Sequence, residues 1–159
     1  MSSAATALTI AAALGCALNG GVLFGFSSFV LPALARLAPA DGIRAMQSIN
    51  VVAITPAFMT AFVGTAAVCV AVIVVAFTAA DAPTAYVVGG ALTYVGGVFG
   101  LTRAYNVPLN DALARLDPDA GDSAAAWVRY RRRWAVGNHV RSAAGVVAAG
   151  LLIAGLVVG

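Results

Sequence analysis

Two polar strings in an otherwise apolar chain hold the residue types that could do chemistry. One is Tyr105-Asn106-Val107-Pro108-Leu109-Asn110-Asp111, the other Trp134-Ala135-Val136-Gly137-Asn138-His139-Val140-Arg141. Amide, imidazole and guanidinium groups are costly in hydrocarbon unless they pair, face a bundle interior or act. His139 is the only histidine, and no Lys or Glu competes with it. A proton-transfer role near neutral pH would therefore fall to His139. A hydrogen-bonded packing histidine and a metal ligand are the other two readings. A protein metal site needs several convergent ligands, and the carboxylates are all Asp and mostly loop-borne. No cofactor is therefore expected, and a metal requirement stays open.

The spacing says which side chains can meet. Asn106 and Asn110 are four apart, which puts both on one face of a continuing helix. Pro108 between them argues instead for a broken or just-beginning turn, tolerated at membrane depth only where protein or a cavity surrounds it. Trp127, Tyr130, Trp134, Asn138 and Arg141 follow steps of 3, 4, 4 and 3, one helical stripe. His139 lies about 100° round from Asn138. The stripe reads either as an interfacial aromatic belt or as the wall of a pocket. Gln47 and Asn50 begin the second span at the same end of the molecule, while Asn19 sits deeper. The candidate catalytic residues are His139, Asn138, Asn106 and Asn110; the candidate substrate contacts are Trp134, Tyr105, Arg141, Asn50 and Gln47.

The elements that must position these groups are transmembrane helices. The chain has 159 residues, 62% hydrophobic and 9% charged, with a mean hydropathy of +0.96. A soluble domain carries about a quarter charged residues. We expect an all-α integral membrane protein, a bundle of four transmembrane helices in a single membrane domain covering 1–159. Spans are expected at about 4–31, 51–79, 86–104 and 135–158, each near the roughly 20 residues that crossing requires. The first stops at Pro32. The link from Thr78 to Thr84 is short enough to make the second and third spans antiparallel neighbours. Residues 106–133 form the one longer polar connection, between helices 3 and 4. Its Asp117–Ser123 stretch is turn chemistry, and Asp122 or Ser123 would cap a helix entering the last span through Trp127 and Tyr130.

All nine basic residues are Arg, and all but Arg141 gather in or beside two connections. That pattern does not suggest nucleic acid, which would call for a basic face interleaved with exposed aromatics. The positive-inside rule places connections 36–47 and 106–133 in the cytoplasm and both termini outside, unless Arg103 or Arg141 belongs to a site. Ala33-Leu34-Ala35 imitates a signal cleavage site, but no basic region precedes it and the apolar run is too long. Gly21…Gly25, Gly96…Gly100 and Gly145…Ala149 are small-xxx-small patterns that let helices approach, within the bundle or in a homo-oligomer. Cys16 and Cys69 read as small buried hydrophobes.

With these residues in view, the chain resembles the anthrone oxygenase-like family of small four-helix membrane proteins. The resemblance rests on Phe29-Val30-Leu31-Pro32, Met46-Gln47-Ser48-Ile49-Asn50, Asn106-Val107-Pro108-Leu109-Asn110 and Trp134 with Asn138-His139-Val140-Arg141. It implies a lipophilic aromatic substrate and a cofactor-independent oxygenase, a monooxygenase that forms a carbanion and lets it react with O2. His139 would then be the base, and Asn106, Asn110 and Asn138 the donors to an enolate oxygen. Trp134 and Tyr105 would stack on the ring, and Arg141 would hold a phenolate. The implied partners are the lipid bilayer and a lipophilic small molecule. A non-catalytic scaffold and a small-ligand carrier are the alternatives; transport fits less well, because the polar groups gather at one end rather than the midplane.

Overall fold

The computed structural model describes residues 1–78 and 84–158. Among the described residues there are five helices: α1 over Ser3–Leu34, α2 over Pro39–Val52, α3 over Pro56–Thr78, α4 over Ala85–Ala114 and α5 over Ser123–Val158. All but α2 are long and apolar enough to cross a membrane. Helices α1, α4 and α5 run past their expected bounds into the polar flanks, whereas α3 begins at Pro56, later than expected. Helix α1 continues through Pro32, and α4 passes Ala104 to reach Ala114. Helix α5 starts at Ser123 rather than at the apolar run, and at 36 residues it is about 54 Å long, well beyond a hydrocarbon core of about 30 Å. The polar connection before it is therefore helical at both ends. The link at 79–83 lies outside the described residues.

Gln47 and Asn50 do not start the second span. They lie on α2, a separate helix with Pro39 in its first turn that packs across the end of the bundle. Gln47 Nε2 donates to the Leu113 and Leu116 carbonyls at 2.9 and 3.0 Å. It thus adds a side-chain donor to two carbonyls at and just beyond the end of α4, where helical partners run out. At the surface, Arg44 of α2 donates to Asp119 and Asp41. The hydrogen bond it donates to Asp119, followed by the charge of that carboxylate, raises the Arg44 pKa above its ordinary value.

Helix α5 is the hub, packed most extensively on α1 and α4. Backbones touch where it crosses α1: a Cβ on Gly145 would lie 2.7 Å from Gly20 Cα. Gly97 likewise faces Ala144 of α5, whereas Gly21 and Gly96 have open space beside them. Packing thus selects the neighbouring glycine in two of the expected motifs. Helices α3 and α4 meet through Phe62, whose ring centroid is 5.7 Å from that of Phe99 and whose carbonyl accepts from the Tyr94 hydroxyl at 3.1 Å. In the same core Cys16 and Cys69 are free, buried thiols 3.8 Å apart, and Asn19 Nδ2 donates to the Gly15 and Ala61 carbonyls. The outward faces are apolar: Leu14, Phe24, Phe77 and Val146 are all exposed, as side chains in contact with lipid would be.

Candidate functional site

Two stretches of π-helix shape the site. Phe26–Val30 lies within α1 and Thr102–Asn106 within α4. Each ends two residues before a proline, Pro32 or Pro108. A proline ring inside an α-helix clashes with the carbonyl four residues back. Here the ladder widens just ahead of it: Leu31 N–H bonds back to the Phe26 carbonyl, and Val107 N–H to the Thr102 carbonyl. The expected break at Pro108 is therefore a bulge in a continuous helix, not an unwound segment. Such bulges re-aim side chains and recur at functional sites. Here they present Ser27, Thr102 and Asn106 to α5.

Trp134 is the centre of the arrangement. Its indole N–H donates to Asn110 Oδ1 at 2.9 Å, and the same oxygen accepts from the Tyr130 hydroxyl at 3.0 Å. Its backbone carbonyl accepts from Asn106 Nδ2 at 3.2 Å. Its ring lies 5.9 Å from Phe26 and beneath the Arg141 guanidinium at 5.4 Å, a cation–π contact. Asn50 sits beside Tyr130, with its amide nitrogen buried and without a hydrogen-bond partner among the described residues. Trp127 stacks on Tyr130 at 5.6 Å, and both are buried against α2 and α4. The stripe therefore lines the interior and is no interfacial belt.

Beyond Trp134, about two turns into the apolar run, an arginine is buried on neutral hydrogen-bond partners, with no carboxylate at ion-pair distance among the described residues. Arg141, 5% exposed, donates through Nη1 to Thr102 Oγ1 at 3.0 Å and through Nη2 to Asn138 Oδ1 at 2.7 Å. Asn138 is fully buried and donates in turn to the Leu23 carbonyl and to Ser27 Oγ, both at 2.7 Å. The charge is thus spread over a relay that ends on a half-buried hydroxyl, whose own proton has no acceptor among the described residues. In a low-dielectric interior such chains polarise one another.

The structure gathers Asn106, Asn110, Trp134, Asn138 and Arg141, with Tyr105 beside them. Gln47 is engaged at the end of α4. His139 is exposed on the outer side of α5 and does not join this cluster. It lines a groove of about 540 Å³ between α1 and α5, together with Phe24, Ser27, Ser28 and Ser142. Ser27 belongs to both places and connects the buried relay to that groove. Sequence reasoning missed Ser27, Thr102 and Gly137. Gly137 permits the close approach of α4, since a Cβ there would lie 2.6 Å from both Asn106 Oδ1 and Tyr105 Cδ1. Only the two Leu/Val-Pro steps carried a hint of the first two. Among the described residues, no three His, Cys, Asp or Glu side chains converge on one point.

The family model described as anthrone oxygenase matches residues 57–151. That stretch includes both polar strings and leaves out Pro32, Gln47 and Asn50. Among curated proteins and solved structures, none matches the chain. With well over half of its length matched, and with the motif residues gathered around Trp134, the chain belongs to the anthrone oxygenase family.

Proposed function

We propose that the protein is a membrane monooxygenase that takes a flat, lipophilic aromatic with an acidic C–H, such as an anthrone, directly from the bilayer into the groove between α1 and α5. The observation that carries this reading is the relay from Arg141 through Asn138 to Ser27, which aims a polarised hydroxyl into the groove that also holds His139. His139 removes the C–H proton. Ser27 donates to the oxygen on which negative charge develops, so the donor is in place before the charge appears. The carbanion reduces O2 and forms a C–O bond, and the hydroperoxide then loses water. Anthrone plus O2 thus gives anthraquinone plus H2O, with no further reductant required.

In this reading Asn106, Asn110 and Trp134 act one layer back, fixing Arg141 and Asn138 rather than touching substrate. The basic connections lie in the cytoplasm and both termini outside, so the groove opens toward the cytoplasmic half of the bilayer. Oxygen uptake by detergent-purified protein supplied with an anthrone tests the proposal. His139→Ala is expected to lower turnover about 100- to 10,000-fold, the usual worth of a general base. Ser27→Ala is expected to lower it about 100-fold, as for other oxyanion donors. Unchanged turnover in both variants would sink the mechanism. Binding of the aromatic without any oxygen uptake would make the groove that of a carrier.

A further inference from the structure

A second groove lies at the arginine-rich end of the molecule, apart from the one that holds His139. Leu109, Leu113 and Leu116 form its floor, on and just beyond α4, and Arg129, Arg132 and Arg133 of α5 form its wall; its volume is about 390 Å³. The three arginines fall at i, i+3 and i+4, on one side of α5, and all are exposed. Arg131, between them in sequence, points elsewhere and covers the Trp127 ring at 5.5 Å. Among the described residues, none of the three wall arginines has a carboxylate within ion-pair distance, although Asp111, Asp117 and Asp122 lie in the same connection. Asp119 is taken by Arg44.

The depth of this groove is set by the chain. The apolar run of α5 begins at Trp134, immediately after Arg133, which puts the guanidinium groups at headgroup level and the leucine floor along the hydrocarbon edge. Unpaired guanidiniums above an apolar floor match an amphiphile with an anionic head and an acyl tail. Planar guanidiniums bind phosphate oxygens in a bidentate fashion, and basic pockets between membrane helices hold anionic lipid headgroups. We infer that this groove seats one anionic glycerophospholipid of the surrounding membrane, its phosphate held by Arg129, Arg132 and Arg133 and one acyl chain along Leu109, Leu113 and Leu116. The site is independent of the proposed reaction.

The test uses full-length protein in phosphatidylcholine bilayers. Quenching of its tryptophans by dibrominated phosphatidylglycerol is compared with quenching by dibrominated phosphatidylcholine. Trp127 and Trp134 both pack in the same end of the bundle. Wild type should prefer the anionic lipid on the order of tenfold, since each basic residue near the surface contributes about 1 kcal/mol, only part of which is realised against other lipid contacts. The triple variant Arg129→Gln, Arg132→Gln, Arg133→Gln should lose that preference. A charge-matched triple variant, Arg36→Gln, Arg103→Gln, Arg115→Gln, removes three exposed arginines elsewhere and should keep it. Equal losses in both triples would reduce the effect to smeared surface charge and overturn the site, as would a wild type without preference. Competition by inorganic phosphate as effective as that by the lipid would also overturn it, because the apolar floor would then contribute nothing.

Discussion

At the scale of single residues, a cation is buried without an anion. Arg141 depends on Asn138 and Thr102 for its hydrogen bonds, and a hydrogen bond to a charged group contributes about 1.5–3 kcal/mol. Asn138→Ala should therefore lower the unfolding midpoint in detergent markedly as well as abolish turnover. Asn138→Asp separates the two effects. It gives Arg141 a carboxylate to pair with but loses the donor to both Ser27 and the Leu23 carbonyl, so the unfolding midpoint should fall less than in Asn138→Ala while turnover falls. His139 behaves oppositely: it is exposed, and its side chain makes no hydrogen bond among the described residues. His139→Ala should leave stability within about 0.5 kcal/mol, as for surface substitutions away from special features. A loss of activity in that variant would then report chemistry rather than folding.

At the scale of elements, two prolines and one glycine do the positioning. Pro32 and Pro108 each follow a π-helical stretch that turns a site residue toward α5. Pro108→Ala restores a backbone donor and removes the clash that favours the wider turn, a change worth up to about 3 kcal/mol in a helix interior. The variant should be as stable as wild type or more so, yet less active, because Asn106 would shift off the Trp134 carbonyl; thermal unfolding and oxygen uptake measured together would show it. Gly137→Ala acts from the other side. Its methyl would strike Asn106 Oδ1 and the Tyr105 ring, and overpacking of this kind costs about 1–3 kcal/mol. Turnover and melting temperature should both drop.

At the scale of the whole molecule, the Gly20–Gly145 crossing joins α1 to α5, and the groove of His139 exists only because these two helices meet there. The orientation in the membrane belongs to this scale too. A cysteine replacing Gly121, in the polar connection, should react with a membrane-impermeant maleimide only from the cytoplasmic side, and one replacing Ser3 only from outside; native Cys16 and Cys69 are buried and stay silent. The reversed pattern would invert the topology and place the groove in the other half of the bilayer. Four membrane helices and the sharing of one helix face by Trp127, Tyr130, Trp134, Asn138 and Arg141 were legible in the sequence, because apolar length and 3.6-residue periodicity are local properties of the chain; that this face turns inward rather than forming an interfacial belt was not. The same local information put His139 one step round the helix from Asn138, though it could not say that this step leads out of the cluster. That outcome, the choice of Gly20 over Gly21, and the joining of Ser27 to Asn138 across 111 residues were decided only by tertiary structure. They depend on which faces two helices bury against each other, and no stretch of either helix encodes that alone.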